Sequence, residues 1–245
     1  MKRIKIVVAY DGTNYFGWQI QPNEITVEKV LNDKLSKLLG EEIKIIGASR
    51  TDSGVHALGN VAVFDTNSTI PGDRFSYALN TLLPEDIRVQ ESYEVDQDFH
   101  PRHCNTKKTY EYKILNRQFP LPSKRFDTYF FPYSLDTEKM QDAAKYLVGE
   151  HDFKSFCSAR TQTETTIRTI YSVDVSRSDD VVSIKVVGNG FLYNMVRIIA
   201  GTLIQAGTGH YEPIKIKEML ESNDRTLAGP TAPPEGLTLV EIQYL

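Results

Sequence analysis

An arginine, an aspartate and a histidine sit close together in Gly47-Ala48-Ser49-Arg50-Thr51-Asp52-Ser53-Gly54-Val55-His56-Ala57. Arg50 lies two positions from Asp52. If the chain is extended there, both side chains leave on the same side. A guanidinium beside a carboxylate keeps it ionised. An ionised, partly desolvated carboxylate acts as a nucleophile or an electrostatic stabiliser, not as a general acid. An aspartate in a glycine-rich turn also bonds its own backbone, and the pattern leaves that reading open. His56 suits a substrate contact or a cap on its own turn.

Other residues offer chemistry at a distance along the chain. Arg197 interrupts the apolar run Phe191-Leu192-Tyr193-Asn194-Met195-Val196-Arg197-Ile198-Ile199. A charge in such a run needs a partner, and Asp52 is a candidate. The alternative is a surface arginine whose stem covers the core. Tyr110 follows the basic pair Lys107-Lys108, and Arg102 lies just upstream. Tyr110 is either a core aromatic or a platform for a base, with lysines in reach of phosphates. His100-Pro101-Arg102-His103-Cys104 invites a metal reading. Its spacing matches no ligand pair, so no metal is expected. No phosphate-binding glycine loop, dinucleotide fingerprint or nucleophile elbow is present, so no small-molecule cofactor is expected.

The totals set the frame for these residues. The chain has 245 residues, 40% hydrophobic and 24% charged, as in a soluble globular protein. The two cysteines, Cys104 and Cys157, cannot build a disulfide framework. With no signal-like leader and no apolar run long enough to span a bilayer, the expectation is a cytoplasmic protein with no membrane association. The net charge of −4 argues against nucleic acid on the total alone. It leaves room for local basic clusters, of which Arg102, Lys107 and Lys108 form one.

Periodicity predicts the elements that must hold these side chains. Ile4, Ile6, Val8 and Tyr10 predict a strand, and Val27, Val30, Leu31, Leu35 and Leu38 a helix closed by Gly40. Strands are expected at Ile43–Ile46 and Val61–Phe64, on either side of Asp52. A helix then ends before Pro84, and a strand runs from Val89 to Val95. The second half repeats the order. It has a strand around Tyr110–Ile114, a helix capped by Asp136 and closed by Gly149, strands at 171–175 and 182–186, an apolar helix through Arg197, a short helix near 212–221 and a closing strand at Leu239–Tyr244. The fold class read from this order is α+β. Two ferredoxin-like βαββαβ domains, 1–105 and 106–245, stand side by side with a largely antiparallel extended sheet and a central cleft. The first carries Asp52 and the second closes the cleft.

Arg50-Thr51-Asp52-Ser53-Gly54-Val55-His56-Ala57 resembles the RTDxGVHA signature of the tRNA pseudouridine synthase A (TruA-type) family. Further motifs fall in the same order. Tyr10-Asp11-Gly12 through Gly17-Trp18-Gln19 resembles YDGxxYxGWQ, and Asn80 to Pro84 resembles N-x-x-L-P. Phe99 to Arg102 with Tyr110-Glu111-Tyr112 resembles F-x-x-R…Y-x-Y. Phe191 to Gly201 resembles F-L-x-x-M-V-R-x-x-x-G, and Ala232 to Leu237 resembles A-P-x-x-G-L.

The resemblance implies isomerisation of uridine to pseudouridine at positions 38–40 of the tRNA anticodon stem-loop. It implies Asp52 as the catalytic aspartate, Arg50 and Arg197 around it, and Tyr110 packed on the target base. It implies tRNA as substrate, a homodimer, and no cofactor or metal. His56, Arg102, Lys107 and Lys108 are expected to contact the RNA. The family pattern often has glycine at Ser49, alanine at Ser53 and a basic residue at Glu111.

Overall fold

Three fully buried residues at alternate positions, Ile4, Ile6 and Val8, anchor the first strand. In the computed structural model, which describes residues 1–158 and 163–245, the helices and strands run in the order β1 (Lys2–Tyr10), α1 (Val27–Leu39), β2 (Ile46–Gly47), β3 (His56–Thr66), α2 (Phe75–Asn80), β4 (Ile87–Val95), β5 (Thr106–Leu115), β6 (Tyr129–Phe130), α3 (Thr137–Ala144), β7 (Gly149–Asp152), β8 (Ile167–Ser178), β9 (Val181–Gly188), α4 (Met195–Gly207), α5 (Lys215–Ser222) and β10 (Leu237–Tyr244). The α+β class holds, with mostly antiparallel pairing. The chain forms two compact units, Met1–Asn105 with Leu239–Leu245, and Thr106–Thr238. Most of β10 thus groups with the first unit.

In the first unit the strand order is β4-β1-β3-β10, with β2 also on β3. β1 runs antiparallel to β3 and β4. Helix α1 starts at Thr26, whose hydroxyl accepts the Lys29 N–H, and stops at Gly40 in the left-handed region. It buries Val27, Leu31 and Leu35. Phe64 and Phe75 meet edge to face at 5.4 Å and extend the same core. Asn80 grips β4 with two bonds, donating to the Val89 carbonyl and accepting the Val89 N–H, both at 2.8 Å. The register between β1 and β4 shifts at this point, between Val7 and Val8. The asparagine of the N-x-x-L-P motif therefore pins an irregular strand.

The strand expected at Ile43–Ile46 shrinks to Ile46–Gly47. Ile43 and Ile45 are buried as expected. Their N–H groups, however, bond the side-chain oxygens of Ser36 and Asn32 on α1, both at 2.9 Å. A side-chain acceptor has replaced a ladder partner there.

In the second unit β5-β9-β8-β7 is antiparallel throughout, and β6 lies parallel to β5. The short strands β6 and β7 carry no usable alternation and are absent from the sequence-based expectation. Tyr112 and Ile114 from β5 pack in a core with fully buried Ile184, Met140, Ile198 and Leu203. Helix α4 begins at Met195, partway into the apolar run, because Asn194 adopts φ 62° and breaks the helix before it. Arg197 therefore sits in the first turn. No helix among the described residues is long and apolar enough to cross a membrane.

Candidate active site

The signature segment leaves β2 at Gly47 and enters β3 at His56. Its tip is a turn in which Val55 N–H bonds the Asp52 carbonyl at 3.1 Å, with Gly54 at φ 78°. Asp52 is half-buried and Arg50 exposed. The aspartate thus stands at the head of a turn closed by its own backbone.

A second loop clasps this turn. Trp18 N–H donates to the Thr51 carbonyl at 3.0 Å, and Gly54 N–H donates to the Tyr15 carbonyl at 3.2 Å. Gly12 and Gly17 allow the approach. A Cβ on Gly12 would lie 2.1 Å from the Val55 carbonyl oxygen, and one on Gly17 would lie 2.5 Å from that of Thr51. The Gly17 and Trp18 carbonyls also accept the N–H groups of Val27 and Glu28, which open α1. Helix, loop and signature turn are one continuous hydrogen-bonded assembly. Trp18, fully buried, covers Gly47. The tyrosine hydroxyl of Tyr15 donates to Asp86 at 2.5 Å. Burial, then the Asp86 carboxylate, push the Tyr15 phenol well above its ordinary pKa, so it stays protonated.

His56 lies inside this assembly. It is buried, and its Nδ1 accepts the Gly12 N–H at 3.0 Å, with Asp11 Oδ1 3.2 Å away. Accepting at Nδ1 puts the proton of the neutral ring on Nε2. Burial opposes ionisation of Asp11, but hydrogen bonds from the Thr13 hydroxyl and main-chain N–H outweigh it and hold the carboxyl below its usual range. The ring joins the YDG motif to the start of β3.

Arg102 reaches the same segment. Its Nε donates to the Gly47 carbonyl at 2.6 Å. Burial and then the charge of Arg50 lower its pKa, while Glu28 acts oppositely. An arginine so shifted remains charged at neutral pH. The first unit thus brings Arg50, Asp52, His56 and Arg102 to one short segment.

The second unit holds the remaining candidates. Tyr110 lies on β5, is 6% exposed, and meets Phe191 edge to face at 5.1 Å. Lys107 Nζ stands 5.2 Å over the Tyr171 ring. Lys108 is half-buried, opposite Gly188. Arg197 is half-buried in an α4 that is otherwise almost wholly buried. Its Nε donates to the Ala232 carbonyl at 2.8 Å and its Nη1 to Asn194 at 3.0 Å. The Arg197 carbonyl takes the Ala232 N–H in return. Four residues on, a Cβ at Gly201 would lie 1.9 Å from the Pro230 carbonyl. The spacing R-x-x-x-G is thus the contact of α4 with segment 230–232, and the A-P motif supplies the strap that orients the arginine.

A sequence model of the tRNA pseudouridine synthase family matches residues 6–103 and 143–245. A protein of Acetivibrio thermocellus named tRNA pseudouridine synthase A is 52% identical over 244 residues, covering 100% of each chain. Proteins of the same name from a Thermoanaerobacter species and from Bacillus pumilus are 48% and 46% identical, over 100% and 99% of this chain and of theirs. The chain belongs to the tRNA pseudouridine synthase family. An archaeal box H/ACA ribonucleoprotein structure aligns with a TM-score of 0.34 at 14% identity, covering 96% of this chain and 46% of that one, too weak a likeness to argue from.

For a tRNA pseudouridine synthase, three positions depart from the motif pattern. Ser53 Oγ donates to the Tyr15 carbonyl at 3.3 Å, a bond alanine could not make. The Ser49 carbonyl accepts from Asn60 Nδ2 at 3.0 Å, a bond that glycine would keep. Glu111 Oε2 lies 3.4 Å from Lys113 and opposite Lys185 across the sheet, so its charge has basic neighbours. Among the described residues no group of three or more His, Cys, Asp or Glu could hold a metal, and the Cys104 thiol donates to the His100 carbonyl.

Proposed function

We propose that the protein isomerises uridine to pseudouridine in tRNA, at positions 38–40 of the anticodon stem-loop. One observation carries this reading: the half-buried Asp52 at the head of a clasped turn, in a chain that matches the family along its length. The reaction breaks N1–C1′, turns the base and joins C5 to C1′. Nothing is oxidised and no group enters, so side chains alone suffice. Asp52 acts as a carboxylate, by attack on C1′ or C6 or by removing a sugar proton. Each route needs the ionised form, which an arginine two positions away favours.

In this reading the first unit carries the nucleophile with Arg50. Arg197 is the further arginine that serves the reaction, and Tyr110 the aromatic that packs on the target base. Stacking on Tyr110 offsets the cost of unstacking the flipped base. Arg102, Lys107 and Lys108 meet phosphates, and His56 acts through the loop it holds and any RNA laid across it. The protein works as a homodimer in the cytoplasm. Arg197→Ala is expected to lower turnover with the fold retained; unchanged turnover would remove Arg197 from the site.

The test is purified protein with an unmodified tRNA transcript, with and without a chelator. Pseudouridine at 38–40 in both arms is the expected result. Tight binding with no conversion would mark an RNA-binding module instead.

A further inference from the structure

A single buried amide reaches both neighbours of Arg50: it bonds the Ser49 carbonyl directly and the Thr51 side chain through the Tyr10 hydroxyl. Asn60 lies on β3, next to the apolar run Val61–Phe64, and is 0% exposed. Its Nδ2 donates to the Ser49 carbonyl at 3.0 Å and to the Tyr10 hydroxyl at 3.3 Å, while its Oδ1 accepts the Val61 N–H at 2.9 Å. The Tyr10 hydroxyl bonds Thr51 Oγ1 at 2.7 Å. Because Tyr10 Oη already accepts from Asn60, its own proton is available for Thr51. Tyr10 is 4% exposed, and Ser49 and Thr51 are 7%. A buried amide donor left unmade costs its full desolvation, so these bonds are firmly held.

The consequence falls on Arg50 and Asp52. The Ser49 carbonyl belongs to the peptide that enters Arg50. The Thr51 carbonyl, held by Trp18 N–H, belongs to the peptide that enters Asp52. The Thr51 side chain fixes the residue between them. We propose that Asn60, Tyr10 and Thr51 are positioning residues that set the directions of the Arg50 and Asp52 side chains, touching no substrate themselves. The proposal rests on the reading of Asp52 as the catalytic carboxylate.

Tyr10→Phe and Thr51→Val each remove one hydroxyl with little change of shape. Each is expected to lower the single-turnover rate about tenfold, since a carboxylate misplaced by a fraction of an ångström loses its near-attack geometry. Affinity for tRNA should stay within about twofold. Thr51→Ser keeps the hydroxyl and should restore most of the rate. The Tyr10→Phe/Thr51→Val double variant should fall no further than the slower single one, because both remove the same bond. A lowered melting temperature with unchanged rates well below it would overturn the proposal, as would a Thr51→Ser variant as slow as Thr51→Val. If Thr51→Val fails to fold, Tyr10→Phe alone decides by the same rate comparison. Activity surviving in Asp52→Asn would instead overturn the reading of the site, a separate result.

Discussion

Replacing Asp52 by asparagine is expected to abolish pseudouridine formation, by at least about a thousandfold in single-turnover rate. The change keeps the side chain's size and removes its charge. It leaves the turn intact, because the bond that closes it runs from Val55 N–H to the Asp52 main-chain carbonyl. The flanking peptide units are also held by other residues, Trp18 and Asn60. The melting temperature should therefore change little. Affinity for tRNA should hold or rise, since an anion facing a polyanion is lost. Rapid-quench conversion and a binding titration on the same preparation separate these effects. A variant that binds poorly and reacts normally once bound would show Asp52 to be a structural turn residue.

The second large effect is expected at Gly17. Its φ of 81° is left-handed, and a Cβ there would stand 2.5 Å from the Thr51 carbonyl and 3.0 Å from Asp52 C. Alanine pays about 1–2 kcal/mol for the conformation alone. The contact is with main chain, which cannot swing aside, so loop and signature turn must part. Gly17→Ala should lose about 2–4 kcal/mol of stability and roughly a hundredfold in turnover at temperatures where it is folded. Gly40 is the control. It is also left-handed, at φ 69°, with nothing within 4 Å of its would-be Cβ. Gly40→Ala should lose about 1 kcal/mol and no turnover. Thermal unfolding and turnover measured on both variants check the pair. Equal, mild effects would show that the clasp yields easily.

Much of this was legible because apolar periodicity and charge are written locally. The buried faces of β1, α1, β5 and α4 follow from spacing alone, and so does the α+β order. The signature turn stood out because Arg50 and Asp52 are charges between apolar runs. What stayed hidden depends on partners far along the chain. Ile43 and Ile45 look like a strand, yet Ser36 and Asn32 take their N–H groups. Asparagine tolerates the left-handed region, but its type alone does not say that Asn194 will adopt φ 62° and delay α4. The last strand carries no mark of which unit it will join. The glycines at 12 and 17 read as loop, and only the folded chain shows the turn they admit. Asn60 had a usable signal, a lone amide beside an apolar strand run, which demands a buried partner.

The most direct measurement is nucleotide-resolution mapping of pseudouridine in tRNA from cells lacking this gene, complemented with the wild-type protein or with Asp52→Asn. The expected result is loss of pseudouridine at positions 38–40, its return with the wild type, and none with the variant. Pseudouridine persisting at those positions without the gene, or returning with Asp52→Asn, would contradict it.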